Sequence, residues 1–353
     1  MKLIKKITFI IIFLFLNINA FGAVSRVVDS FQVTQRIPTG VVFNPDGTKM
    51  FISGMSQNRV MEFDLTTGFD VSEATINSNE CSHLGKDGNV VDLRLNSNGT
   101  KLFLVGYDNK IILEYSLSTA YDVSTCSYEN TFFSGDGLNP RSMAFNTNGT
   151  KLFIYDQTGN YSVKQYSLNS AYDLTNATLV KEYTGTASKT LKEIEGFAQG
   201  MAFSADGTKM YLTGDFEDKV HEFNLSTPFD LSNVTKVSGS YSVAGEITKM
   251  SGIAFSADGL KMFITDFSNG GSDKDVTEFD LTCGFGVVEC IDPTANKDDV
   301  ASIETQSETT KKLIQHTTYP VLNRMEWLRR NSGRVNLTNQ NIKIQFNNAF
   351  LNS

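Results

Sequence analysis

Hydrophobic residues recur at every second position in short runs along most of the chain, and turn residues punctuate the runs. In GMAFSADGTKMYLTG (200–214), Met201 and Phe203 precede a turn, and Met210 and Leu212 follow it. A period of two predicts strands with one buried face. The Asp206-Gly207 pair between them favours positive φ, which suits a tight β-hairpin. A third run follows each hairpin. In RVMEFDL (59–65), Val60, Glu62 and Asp64 share one side, and Met61, Phe63 and Leu65 the other. It ends in a Phe/Tyr-Asp-Val/Leu-Ser/Thr turn at Asp70, Asp122, Asp173 and Asp230. Asp and Ser bond nearby backbone and set such turns. A polar, variable stretch then predicts a fourth strand, as in 73–80 and 127–134.

This unit occurs five times. The hairpin glycines Gly47, Gly99, Gly149, Gly207 and Gly259 are 52, 50, 58 and 52 residues apart. Four strands per repeat of this length describe a propeller blade. The fifth unit lacks a fourth strand before Cys290-Ile291-Asp292-Pro293, and residues 24–37 form an orphan strand before the first unit. Joining the two removes unpaired edges that would template aggregation. The expected fold is therefore an all-β, five-bladed β-propeller over 23–291, closed by the N-terminal strand 24–37. Repeats lie near 38–90, 91–139, 140–198, 199–250 and 251–291, and a helical C-terminal tail follows over 292–353. The units resemble bacterial β-propeller repeats with an N-P-D-G-T-K-hydrophobic-aromatic signature, here NPDGTKMF (44–51). That resemblance implies the fold and leaves function open, because propellers host lectins, hydrolases, lactonases and scaffolds.

Residues 1–22 join a basic start to an apolar run from Ile7 to Leu16, too short for a resident helix of about 20 residues. They predict a secretory signal peptide cut near Gly22, and hence a periplasmic, surface or secreted protein. Net charge is −8 for the whole chain, and removing Lys2, Lys5 and Lys6 leaves about −11. A chain so acidic is not expected to bind nucleic acid. Of the four cysteines, Cys283 and Cys290 are close in sequence and form the expected disulfide of an oxidising compartment. Cys81 and Cys126 align at opposite ends of their strands, so free buried thiols are expected there, with a pairing left open.

In the tail, Asn296 caps an expected helix, Pro320 interrupts it, and Ile342, Ile344 and Phe346 alternate like one strand. KKLIQHTTYPVLNRMEWLRR (311–330) and NLTNQNIKIQF (336–346) resemble the passenger-to-barrel linker of alphaproteobacterial autotransporters. The resemblance implies display at the cell surface. The barrel of that family does not follow here, which leaves a truncated member, or a passenger either released or held by an outer-membrane partner through the tail, unless the similarity misleads.

Candidate chemistry is sparse. His83, His221 and His316 fall in unrelated contexts, and no nucleophilic triad or phosphate loop is evident. Topology offers more, because loops on a rigid scaffold carry function. One face should gather Tyr107, Asp108, Asp156, Asp215, Phe216, Asp218, Asp266 and Phe267 from the loops between second and third strands. Arg141 and Gln199 join them from the inner-strand starts. Acids with aromatics on one rim suit a cation or a stacked sugar, although Asp favours turns in any case. Asp92 and Arg94 replace Gly or Ser and Val or Ala of the other inner strands, so they should project into the channel as an ion-paired plug or a ligand handle. The reading is an exported, non-enzymatic binding module for a glycan, polymer or protein. No cofactor is required, with calcium left open. The alternative is a hydrolase or lactonase with a metal or carboxylate site at the channel mouth.

Overall fold

The computed structural model describes residues 24–31, 37–55, 57–133, 137–267 and 276–288. The expected signal peptide, the tail and Cys290 lie outside the described residues. Strand β1 (Val24–Phe31) is followed by four hairpin-linked groups: β2 (Pro38–Phe43), β3 (Lys49–Gly54), β4 (Arg59–Leu65) and β5 (Ala74–Ser82); β6 (Val90–Leu95), β7 (Lys101–Gly106), β8 (Ile111–Leu117) and β9 (Cys126–Phe132); β10 (Pro140–Phe145), β11 (Lys151–Asp156), β12 (Ser162–Ser167) and β13 (Thr178–Tyr183); then, after helix α1 (Leu191–Ile194), β14 (Ala198–Phe203), β15 (Lys209–Gly214), β16 (Lys219–Leu225), β17 (Val234–Lys236) and β18 (Tyr241–Ser242). The last group is β19 (Met250–Phe255), β20 (Lys261–Asp266) and β21 (Val276–Leu281). Each group is one antiparallel sheet, and in the fourth the outer strand is split, β17 and β18 both pairing with β16. The fifth sheet runs β1-β21-β20-β19, with Val24 opposite Leu281 and Phe31 opposite Val276. The N-terminal strand thus completes the last blade, as the repeat count requires.

The core lies between blades. An aromatic from the second strand of one blade packs on a Phe of the next inner strand: Phe103 on Phe145 at 5.0 Å, Phe153 on Phe203 at 4.5 Å, Tyr211 on Phe255 at 4.6 Å and Phe263 on Phe43 at 4.5 Å between centroids. Each such buried ring contributes roughly 2–3 kcal/mol. The turn after the third strand places Phe69, Tyr121, Tyr172, Phe229 and Phe285 at φ between 52° and 61°. Each ring lies on the hairpin glycine of its own blade. A Cβ on Gly207 would meet Phe229 at 2.1 Å, so that glycine supplies both a positive φ and room for the ring.

A second repeated contact ties blade to blade. The third strand carries Glu62, Glu114, Gln165, Glu222 and Glu278, all buried. Glu62 accepts from the amide of Val123 at 3.1 Å, Gln165 from Leu231 at 3.0 Å, Glu222 from Val287 at 3.1 Å and Val288 at 2.7 Å, and Glu278 from Val71 at 3.1 Å. Each acceptor belongs to one blade and each amide to the turn of the following blade. The lysine two residues after the hairpin glycine neutralises the carboxylate: Lys49 with Glu62, Lys101 with Glu114 at 2.5 Å, Lys209 with Glu222 at 2.5 Å and Lys261 with Glu278.

These interlocked turns correct one expectation. Cys81 and Cys126 are not free thiols; they form a disulfide, with Cα atoms 5.8 Å apart. Aligned as parallel rods, the outer strands keep the two residues at opposite ends. In the fold, Glu62 draws the Asp122–Val123 turn of the second blade across the first, and Asn79 bonds Asp122 at 3.1 Å. The start of β9 thereby meets the end of β5. The bond is consistent with an oxidising, exported environment. Cys283 is also disulfide-bonded.

Replacing Glu278 by Ala strands Lys261 and the Val71 amide at ring closure. Denaturant unfolding is expected to show a loss of about 3–5 kcal/mol, whereas Glu80→Ala, which removes an exposed pair with Arg59, costs under about 1 kcal/mol. Asp230 gives a pH signature. Burial pushes its carboxyl up, but hydrogen bonds from Lys181 and Ser232 and the Lys181 charge outweigh this and hold it down at about 2. A depressed carboxylate contributes stability above its unfolded value, lost as pH falls toward the folded one. Between about pH 4 and 2, stability should therefore fall more steeply in the native chain than in Asp230→Asn.

Candidate functional site

The inner strands β2, β6, β10, β14 and β19 each carry a bulge near their start, seen as register shifts at Pro38/Gly40, Val90/Asp92, Pro140/Ser142, Ala198/Gly200 and Met250/Ile253. Bulges re-aim side chains. Below them the strands crowd. A Cβ on Gly252 would lie 2.5 Å from the Thr39 carbonyl, and one on Gly200 2.5 Å from the Ser251 carbonyl. Asp92 and Arg94 fill this narrow axis. Asp92 accepts from Ser142 Oγ at 2.6 Å, the Met143 amide at 3.0 Å and Arg94 Nη1 at 2.7 Å. Arg94 Nη2 reaches the Met201 carbonyl of the fourth blade at 2.7 Å. Burial pushes the Asp92 carboxyl up, and the Arg94 charge opposes it. The pair bridges three blades.

Arg94 is also the floor of a depression of about 390 Å³ on the hairpin face, lined by Phe43, Leu95, Phe145, Phe203 and Phe255. Sequence reasoning placed its candidates on the opposite face. The alternation of Phe with Ala or Val at the inner-strand ends was the available signal.

On the opposite face, buried carboxylates staple four of the connectors to the neighbouring loops. Asp156 accepts from the amides of Asn139 at 2.8 Å and Thr158 at 3.1 Å, and from Lys164 Nζ at 2.7 Å. Asp266 accepts from the amides of Thr248 at 2.7 Å and Lys249 at 3.1 Å. Where the second strand ends in glycine, the connector supplies the acid instead. Asp87 accepts from the Asn89 and Asn109 amides, both at 2.9 Å, and Glu195 from the Phe197 and Phe216 amides at 3.1 and 3.0 Å. A Cβ on Gly106 would strike Asp87 at 2.5 Å, and one on Gly214 would strike Glu195 at 2.4 Å. Asp87 and Glu195 escaped the sequence reading; a glycine where the aligned repeat has Asp was the clue.

The remaining candidates gather nearer the surface. Arg141 is buried, with its guanidinium 4.2 Å from the Tyr107 ring centroid and 5.1 Å from that of Phe197. Burial pushes its pKa down, and Tyr107 opposes this. Gln199, in the bulge of β14, is buried beside the axis. Phe216 is 72% exposed and Phe197 38%. Lys249 stands over Phe267 at 5.6 Å. Asp108 is exposed and accepts from Asn89 Nδ2 at 2.9 Å. Burial raises the pKa values of Asp215 and Asp218; Lys249 opposes the rise at Asp215, and Glu195 and Asp266 add to it at both. His221 is buried, its Nε2 3.7 Å from Glu195 Oε2, and His83 Nδ1 contacts the Asp87 carbonyl at 2.9 Å. Among the described residues no three His, Cys, Asp or Glu side chains converge as metal ligands.

If Asp92 and Arg94 act as one unit, a double-mutant cycle will show it. Asp92→Gly alone is expected to cost about 3–5 kcal/mol by leaving Arg94 uncompensated. The Asp92→Gly/Arg94→Val pair, which restores the residues of the first blade, should cost less than the sum of the singles by at least about 1 kcal/mol in urea unfolding.

No family model matches the chain, and no curated protein matches it. Among solved structures it is similar to one described as a "putative 6-phosphogluconolactonase" from Bacteroides uniformis ATCC 8492, at 13% identity and a TM-score of 0.42, covering 76% of this chain and 72% of that one. At that distance the likeness says nothing about chemistry here.

Proposed function

We propose that the chain is an exported, non-enzymatic binding module whose ligand is a glycan held at the face of the stapled connectors. One observation carries this reading. Phe216 and Phe197 stand exposed on that face, beside a buried cation, on loops fixed by Glu195. Exposed rings on a rigid frame suit the apolar face of a sugar, because stacking gains most where little ordering cost remains. The carboxylates Asp156 and Asp266 bond backbone amides of the connectors, which favours binding over a hydrolytic role for them. The disulfide supports export, and the tail is read as the attachment to a membrane partner.

A glycan array on the full chain, with and without calcium, tests this. Phe216→Ala and Phe197→Ala are expected to weaken the bound glycans roughly tenfold, with the melting temperature of Phe216→Ala unchanged. Hydrolysis of an arrayed glycan or lactone, or array binding unaffected by both substitutions, would end the proposal.

A further inference from the structure

We infer that the ligand is anionic and that Arg141 receives its oxyanion. The inference rests on the glycan-binding reading and names the class of glycan.

Arg141 is the one Lys or Arg in the fully buried class among the described residues, at 3% exposure. Other shielded cations have a carboxylate. Arg94 has Asp92 at 2.7 Å, Lys164 has Asp156 at 2.7 Å, and Lys209 has Glu222 at 2.5 Å. Arg141 has none among the described residues, and its Nε is buried without a hydrogen-bond partner. An uncompensated charge in a low-dielectric site is destabilising, and the faces of Tyr107 and Phe197 offset that only in part.

Nothing in the blade architecture calls for a charge there. The equivalent bulge positions hold Thr39, Val91, Gln199 and Ser251, and Thr39 and Ser251 tie into neighbouring backbone at 2.7 and 2.9 Å. Arg141 makes no such tie. The rings that cover it belong to the surface: Phe197 is 38% exposed and Tyr107 half-buried. The cation therefore lies one ring beneath the proposed sugar platform. A guanidinium fork matches the paired oxygens of a carboxylate or sulfate. Lys249, over Phe267, adds a second positive charge on the same face, where it also offsets Asp215. An acidic saccharide answers both features, its ring on Phe216 and its oxyanion reaching Arg141 past the edge of Phe197.

The test is an array of carboxylated, sulfated and neutral glycans read with the full chain, Arg141→Lys and Arg141→Met. Binders are expected among the acidic members, at least roughly tenfold above their neutral counterparts, with the signal falling as salt rises. Lys keeps the charge without the fork and should retain part of the preference; Met should lose it. Comparing the carboxylated and sulfated arms identifies the oxyanion. Because the charge is uncompensated in the free protein, Arg141→Met should melt at or above the native temperature. Neutral binders insensitive to Arg141 would overturn this inference and leave the binding module standing. An array with no binder would overturn both. A large fall in melting temperature for Met, with acidic preference intact in Lys and Met alike, would show Arg141 to be structural.

Discussion

The ring depends on a polar side chain reaching from each blade to the backbone of the next. A propeller blade buries its faces against two neighbours and has no covalent reason to hold a fixed angle to either. Apolar contact alone is non-directional. The Glu or Gln of the third strand supplies direction, because its oxygen must meet the backbone amide that follows the Asp turn of the next blade. Blade three shows which part is essential. There Gln165 replaces Glu, and Lys151 donates to the Phe229 carbonyl at 2.8 Å instead. Blade two shows the converse: Glu114 keeps its lysine, and Lys101 reaches the Tyr172 carbonyl of the next blade at 3.2 Å, so what every blade retains is a polar tie to the neighbour's backbone. Lysine is thus best seen as compensation for burying a carboxylate, which without a partner would cost several kcal/mol.

That latch also explains why the inner strands can be small. With blade angles fixed at mid-radius, the axis must accept whatever space remains. Gly40, Gly200 and Gly252 let strands approach until a Cβ would clash with backbone. The second blade breaks the pattern, and its Asp92 and Arg94 bond the third and fourth blades. A single charged pair thereby does at the axis what the latches do further out.

Most of the fold was legible in the sequence because repeats report local physics. Asp-Gly turns, alternating runs and the capping Asp residues are decided within a few residues, and the orphan strand followed from counting. What the sequence could not show was non-local. The lysine and glutamate recur in every or nearly every unit, yet their purpose lies in the following blade. Cys81 and Cys126 looked mismatched because strand alignment ignores how a turn is pulled across a neighbour. On the candidate face, Asp156 and Asp266 were visible as acids, but their amide partners come from a connector seventeen or more residues away. Glu195 and Asp87 were hidden for the converse reason: the informative residue was an absence of side chain at Gly214 and Gly106.

Symmetry gives a last constraint on where function can sit. A residue that every blade requires recurs in the other blades, whereas one that occurs once serves a single place, as Asp92 and Arg94 do at the axis. The long interval between Gly149 and Gly207 marks the one connector that has grown. Its extra length builds α1, capped by Thr190 and Glu193, and sets Glu195 and Phe197 against Phe216 and Arg141. At the hairpin face Phe43, Phe145, Phe203 and Phe255 repeat from blade to blade and are accounted for by packing, and the singular Arg94 is already paired with Asp92. A buried unpaired cation, two exposed rings and an enlarged connector coincide where the repeat is least faithful. The blade does not need them, and on the proposed reading a bound ligand offsets their cost to the free protein.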